Sequence, residues 1–149
     1  MTELNRPGLF KSNGSGFTLI ELAIIVVVLG VLASVGIPRI ASLIESSKEA
    51  ATEEEMRRLK IALVGSATDN LSGYESDVGS LPSALTGLAT KPGGVSSWNR
   101  FTSTGWNGPY IGDNNNDYLE DAWEVSYIYD SGARTIKSVG SSDTITINF

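Results

Sequence analysis

One stretch limits the folds open to this chain more than any other. From Phe17 to Ile37 it reads FTLIELAIIVVVLGVLASVGI, with Glu21 as its single charge. At a rise of roughly 1.5 Å per residue, a helix over this stretch spans roughly 32 Å, close to a bilayer's hydrocarbon thickness of about 30 Å. The competing reading is a buried core helix. A chain of 149 residues rarely encloses a helix that is apolar on every side, which favours the membrane. Composition then removes whole classes of chemistry. There is no Cys and no His, hence no disulfide framework, no thiolate zinc site, no thiol nucleophile and no Ser-His-Asp triad. Eleven Lys and Arg against seventeen Asp and Glu leave a formal net charge of -6. That is a poor match for a phosphate backbone, so no nucleic-acid partner is expected.

Ahead of the apolar stretch lies MTELNRPGLFKSNGSG, with Arg6 and Lys11 against Glu3. A positive excess before an apolar segment holds that end in the cytoplasm. A secretory signal places its small residues after the apolar run; here they precede it, at Asn13-Gly14-Ser15-Gly16. Cleavage there would leave the helix on the mature protein, and the alternative is an uncleaved anchor with a polar tail. Glu21 needs its own explanation, because a carboxylate at mid-bilayer costs about 2.5–3.5 kcal/mol on insertion scales. Were the leader cut after Gly16, Phe17 would carry a free amine one helical turn before Glu21. That amine is a counter-charge, and between neighbouring chains it would set the axial stagger of one helix on the next. A Glu that simply reaches headgroup water is the equal alternative.

Gly16 followed by Phe17-Thr18-Leu19-Ile20-Glu21 and a long apolar helix resembles the class III signal of type IV pilins and of type II secretion pseudopilins. Gly30 and Pro38 fall where that family places helix-weakening residues, and Gly36 stands two residues before Pro38 in the same weak region. The resemblance implies cleavage by a prepilin peptidase between Gly16 and Phe17, N-methylation of Phe17, and a homopolymer built through the N-terminal helices with Glu21 as the assembly residue. Its implied partners are the prepilin peptidase, minor pseudopilins, an inner-membrane assembly platform, and membrane lipid before assembly. The implied fold class is α+β and type IV pilin-like. A long N-terminal α-helix, transmembrane in its N-terminal half, carries a small C-terminal antiparallel β-sheet head.

The expected organisation is a cleaved cytoplasmic leader (1–16), a transmembrane or filament-core helix (17–37), its amphipathic continuation (38–72) and a globular head (73–149). Past Pro38 the helical spacing resumes with Ile40, Leu43, Ile44, Ala51, Leu59, Ala62 and Leu63 and ends near Asp69-Asn70. Proline lacks an N–H and clashes with the preceding turn, which predicts a kink or local melt near Gly36–Pro38. Glu53–Arg57 and Glu54–Arg58 stand at i,i+4 on a solvated face. In the head, Val125–Tyr129 and Thr135–Val139 alternate in polarity around the hairpin connection 130–134, and 144–149 reads as a third strand. Trp98, Trp106 and Trp123 are expected to supply much of the buried area.

The order Tyr74-Glu75-Ser76, Gly79-Ser80-Leu81-Pro82, Leu85-Thr86-Gly87-Leu88, Trp106-Asn107-Gly108-Pro109-Tyr110, Asp121-Ala122-Trp123 and Ser138-Val139-Gly140 resembles the major pseudopilins of type II secretion. Two departures stand out: Ala122 occupies a position where that family usually has Pro, and the tail after Gly140 is short. In the major pseudopilins a longer loop in that tail holds calcium. A separate calcium argument rests on Asp113, Asn115, Asp117, Asp121 and Glu124, whose alternating oxygens have EF-hand-like spacing. Against it, Tyr118 sits where such a loop needs Gly, and Asn and Asp also favour plain turns. The expected role is a structural, non-enzymatic subunit of a type II secretion pseudopilus, anchored by one span in a bacterial inner membrane. A type IV pilin of a surface fibre shares every N-terminal feature. A tethered extracytoplasmic enzyme or binding module would have to use the carboxylates Asp117, Glu120, Asp121 and Glu124, whose spacing predicts no catalytic pair.

Overall fold

In the computed structural model, residues 16–112 and 116–149 are described. The chain divides into two compact units, residues 1–42 and 43–149. Its elements are a helix α1 (Leu19–Val64), a short helix α2 (Tyr74–Val78), single 3-10 turns at Leu85–Leu88 and Asp117–Leu119, and strands β1 (Ile128–Asp130), β2 (Thr135–Ser138) and β3 (Ile145–Asn148). The three strands form one antiparallel sheet in the order β1-β2-β3. This is the α+β, pilin-like architecture expected above.

In the first unit every described side chain from Phe17 to Ser34 is exposed. The helix is long and apolar enough to cross a membrane. Helical backbone continues through Gly30, Gly36 and Pro38, so the melt expected there is absent. Proline gives up one hydrogen bond, and the turns on either side keep theirs.

In the second unit the helix buries one stripe, Thr52, Met56, Leu59 and Leu63, with Ala62 beside it. The spacing of four, three and four residues is that of a single helix face. Only part of this stripe coincides with the apolar residues picked from sequence: Leu43, Ile44 and Ala51 are exposed, while Thr52 and Met56 are buried. The helix also ends six residues earlier than expected. Gly65 adopts φ +83 while its N–H still bonds the Ile61 carbonyl at 2.7 Å, a left-handed stop that glycine makes without a Cβ penalty. Ser66 and Leu71 then pair antiparallel, and Gly73 returns so closely that a Cβ there would overlap the backbone of Val64 and Gly65.

The core is closed by tyrosines rather than tryptophans. Tyr74, Tyr118 and Tyr127 are buried with Leu85, Leu88 and Ile136, whereas Trp98, Trp106 and Trp123 are half-buried. Two indole N–H groups explain the difference, because each needs an acceptor at the edge of the core. Trp106 finds the Gly87 carbonyl at 3.0 Å and Trp123 the Glu45 carboxylate at 3.1 Å. In the sheet, Ile136 and Ser138 point inward while Lys137 is exposed, and Ile145 and Ile147 alternate with Thr146 and Asn148. β1 is shorter than expected and begins at Ile128, because Val125 and Ser126 bond elsewhere: Val125 N–H to Asp121 and Ser126 in a bridge with Glu120. The hairpin closes at Arg134 with φ +54. Its guanidinium forms paired bonds of 2.7 and 2.9 Å to Glu75, and its Nε donates to the Phe149 carbonyl at 2.7 Å. The guanidinium beside it holds the Glu75 carboxyl below its ordinary range.

Candidate functional site

The N-terminal candidates occupy the start of α1. Gly16, Phe17 and Thr18 precede the helix, and Glu21 lies in its first turn. Thr18 is its cap: the hydroxyl accepts the Glu21 N–H at 3.3 Å and the carbonyl accepts the Leu22 N–H at 3.2 Å. Thr18-Leu19-Ile20-Glu21 has the spacing of a capping box, and a carboxylate in the first turn also complements the helix dipole. The position of Glu21 therefore has a local role in starting the helix, alongside any role between chains. Thr followed three residues later by Glu was the signal for this cap. Gly30, Gly36 and Pro38 all lie within the helix.

In the head, three of the five residues proposed from sequence as cation ligands are described, Asp117, Asp121 and Glu124. Asp113 and Asn115 lie outside the described residues. Asp117 and Glu124 are exposed, the latter at φ +62. Asp121 is buried and committed to the fold. Its Oδ1 accepts the N–H groups of Trp123 and Val125, each at 3.0 Å, and its Oδ2 accepts the Ser138 hydroxyl at 2.6 Å and the Gly140 N–H at 3.1 Å. Burial acts to raise its pKa, but these bonds to the ionised form outweigh it and hold the carboxyl below its ordinary value. Gly140 is required for this approach, because a Cβ there would stand 2.5 Å from Oδ2. Among the described residues no three Asp, Glu, His or Cys side chains cluster to hold a metal. Both oxygens of Asp121 are thus engaged by donors of its own chain.

A second node organises the loops. The Tyr110 hydroxyl donates to the buried Asp77 carboxylate at 3.0 Å and accepts the Asn107 N–H at 3.0 Å, while the Tyr110 N–H bonds the Leu88 carbonyl at 2.8 Å. Burial, aided by the Asp77 charge and opposed by the Asn107 N–H, pushes the phenol up to about 12. Gly108 is the pivot, because a Cβ there would stand 2.7 Å from the Trp106 ring and 2.8 Å from that of Tyr110.

Comparison with known proteins bears on both halves. The family described as "Type II secretion system (T2SS), protein G" matches residues 39–145, and the prokaryotic N-terminal methylation motif matches residues 11–37. The first match covers well over half of the chain. The chain belongs to the type II secretion system protein G family. Among its relatives, the type II secretion system core protein G of Pseudomonas aeruginosa is 32% identical over 58% of this chain and 59% of its own length. The type IV major fimbrial protein FimA of Dichelobacter nodosus is 33% identical over 55% of this chain and 51% of its own. The type IV major pilin protein PilA of Myxococcus xanthus is 32% identical over 52% of this chain and 36% of its own. The chain thus spans about half the length of the curated relatives it matches. No solved structure matches it significantly.

At position 122, where the resemblance to major pseudopilins implies Pro, the backbone N–H of Ala has a structural role. The Ala122 N–H, which a proline would lack, donates to the fully buried Thr52 hydroxyl of α1 at 3.2 Å. Around it, Glu45 accepts Trp123 Nε1, Glu49 accepts the Ser141 hydroxyl at 3.3 Å and Glu55 accepts the Tyr127 hydroxyl at 3.4 Å. A polar row on the helix thus clasps the 121–141 segment. Ala122→Pro should take this donor from the Thr52 hydroxyl and lower stability by about 1–2 kcal/mol, a fall of about 5 °C in the thermal midpoint. Unchanged melting of the variant would show that the clasp contributes nothing.

Proposed function

We propose that this chain is a structural subunit of a type II secretion pseudopilus. The subunit waits in the inner membrane with its leader in the cytoplasm and its head outside, and polymerises through α1 to drive folded proteins across the outer membrane. The observation that carries this reading is the pairing of a protein G match over residues 39–145 with an apolar helix whose described side chains from Phe17 to Ser34 are all exposed. In the membrane lipid covers these side chains; in a filament those of neighbouring helices would cover one another. The carboxylate of Glu21 is then held by the new amine of Phe17, supplied when a prepilin peptidase cuts after Gly16.

The test is mass spectrometry of the mature protein. We expect a chain that begins at Phe17 and is one methyl group heavier than the unmodified peptide. A chain that retains residues 1–16 would overturn the reading. The fimbrial and pilin relatives favour a second reading, a surface-fibre pilin. Deletion of the gene distinguishes them: a pseudopilin is needed for exoprotein release, and a pilin for surface fibres.

A further inference from the structure

The head carries a built but uncovered aromatic tip. Phe101 is 87% exposed, yet its loop backbone is held by hydrogen bonds. Asn99 N–H bonds the Thr104 carbonyl at 2.8 Å, Trp98 N–H the Trp106 carbonyl at 3.1 Å, and Trp106 N–H the Ser96 carbonyl at 2.8 Å. The Asn99 side chain caps the Phe101 N–H at 2.9 Å, the Thr102 and Thr104 hydroxyls bond at 2.8 Å, and Gly105 N–H ties the loop to the Asp77 carbonyl at 2.8 Å. Arg100 lies over the Phe101 ring at 5.2 Å. A pre-ordered aromatic with a cation beside it has the composition of an interface anchor, since little entropy is left to lose on docking.

The same head holds a cavity of about 410 Å³, whose lining includes Ile61, Tyr118, Ile111, Glu55, Asp117 and Arg58. For scale, a cavity of about 150 Å³ accepts benzene. Its lining carries two carboxylates, Glu55 and Asp117, which repel each other, against a single cation, Arg58, which also lies 3.6 Å from Glu54. Phe101, being exposed, does not fill this cavity in its own chain.

We infer that the Arg100-Phe101 tip docks into this cavity of a second copy of the chain. The ring fills the apolar part against Ile61 and Tyr118, and the guanidinium meets the Glu55 and Asp117 carboxylates. Charge complementarity selects the occupant: in a chain of net charge -6, a copy that offers an exposed cation at an aromatic tip matches an acidic cavity. Tip and cavity are different surfaces, so the contact is heterologous and propagates from copy to copy rather than closing a dimer. This rests on the filament reading and adds to it a head-to-head contact separate from α1.

The chain has no cysteine, which permits a direct test on the full-length protein in cells with its assembly machinery. One copy carries Thr102→Cys and a second carries Arg58→Cys, and mild oxidation should link the two far above the level of either variant alone. Adding Phe101→Ala should cut the linked fraction about tenfold. Arg100→Glu should lower it similarly, and pairing Arg100→Glu with Asp117→Arg should restore it. Trypsin resistance of each variant checks that the head is folded. Absence of the link in cells that show filaments, a link indifferent to Phe101, or a link to some other protein would overturn the contact. A Phe101-dependent link in cells that form no filaments would uphold the contact and sink the filament reading instead.

Discussion

The Asp121→Ala chain should lose most of its head stability. The substitution removes the acceptor of the Ser138 hydroxyl and of the Trp123, Val125 and Gly140 N–H groups at one stroke, and its site is only 5% exposed. Breaking such a buried, hydrogen-bonded charge costs about 3–5 kcal/mol, because donors shaped for a carboxylate face nothing. Against a total of about 5–15 kcal/mol, the head is left near its midpoint, with a fall of about 15 °C in melting. Asp121→Asn keeps the shape and should lose less. The depressed pKa adds a pH signature. Asp121 titrates lower in the folded head than its ordinary 3.8, so its stabilisation is complete well above that value. It is lost as pH falls through the folded pKa. Wild-type melting should therefore decline in acid, and Asp121→Asn should flatten that decline. Near-ultraviolet dichroism of the full chain in detergent reads both; equal melting of Asp121→Ala and wild type would refute the role of this node.

Glu21→Ala should leave membrane insertion and leader removal intact and abolish filaments. Inside a bundle of apolar helices, a carboxylate paired with the Phe17 amine resists mis-registry, because a shifted neighbour leaves the charge alone. Losing about 3 kcal/mol per subunit contact raises the concentration needed for assembly about a hundredfold. Because Thr18 and Glu21 also start the helix, two further variants separate the effects. Thr18→Val removes the cap, at about 1 kcal/mol, and keeps the charge; filaments should persist. Glu21→Gln keeps a polar side chain of the same length and removes the charge; filaments should fail. Normal filaments from Glu21→Gln would end the charge-pairing account.

The hydrophobic pattern made α1 legible and left its seam half hidden. The seam runs Glu45, Glu49, Thr52, Met56, Leu59 and Leu63, a single helical row whose first half is polar. A search for apolar periodicity follows only its second half and strays onto Leu43 and Ile44, which are exposed. Gly65 was a readable stop that the polar residues after it obscured. Alternation located all three strands, but β1 was overextended because Asp121 takes the Val125 N–H out of the ladder.

The N-terminal half of the chain's character was set by sequence alone. A long apolar run with one acid at a fixed distance from Gly16 needs no tertiary partner to declare itself, since its meaning lies in local spacing and transfer energy. The roles of the head carboxylates were decided only by the fold. Spacing offered Asp121 as one of several alternating oxygens, and only the fold shows its carboxylate accepting from Ser138 and Gly140, both remote in sequence. Hydrogen bonds between distant residues are satisfied in three dimensions, and no one-dimensional period records them.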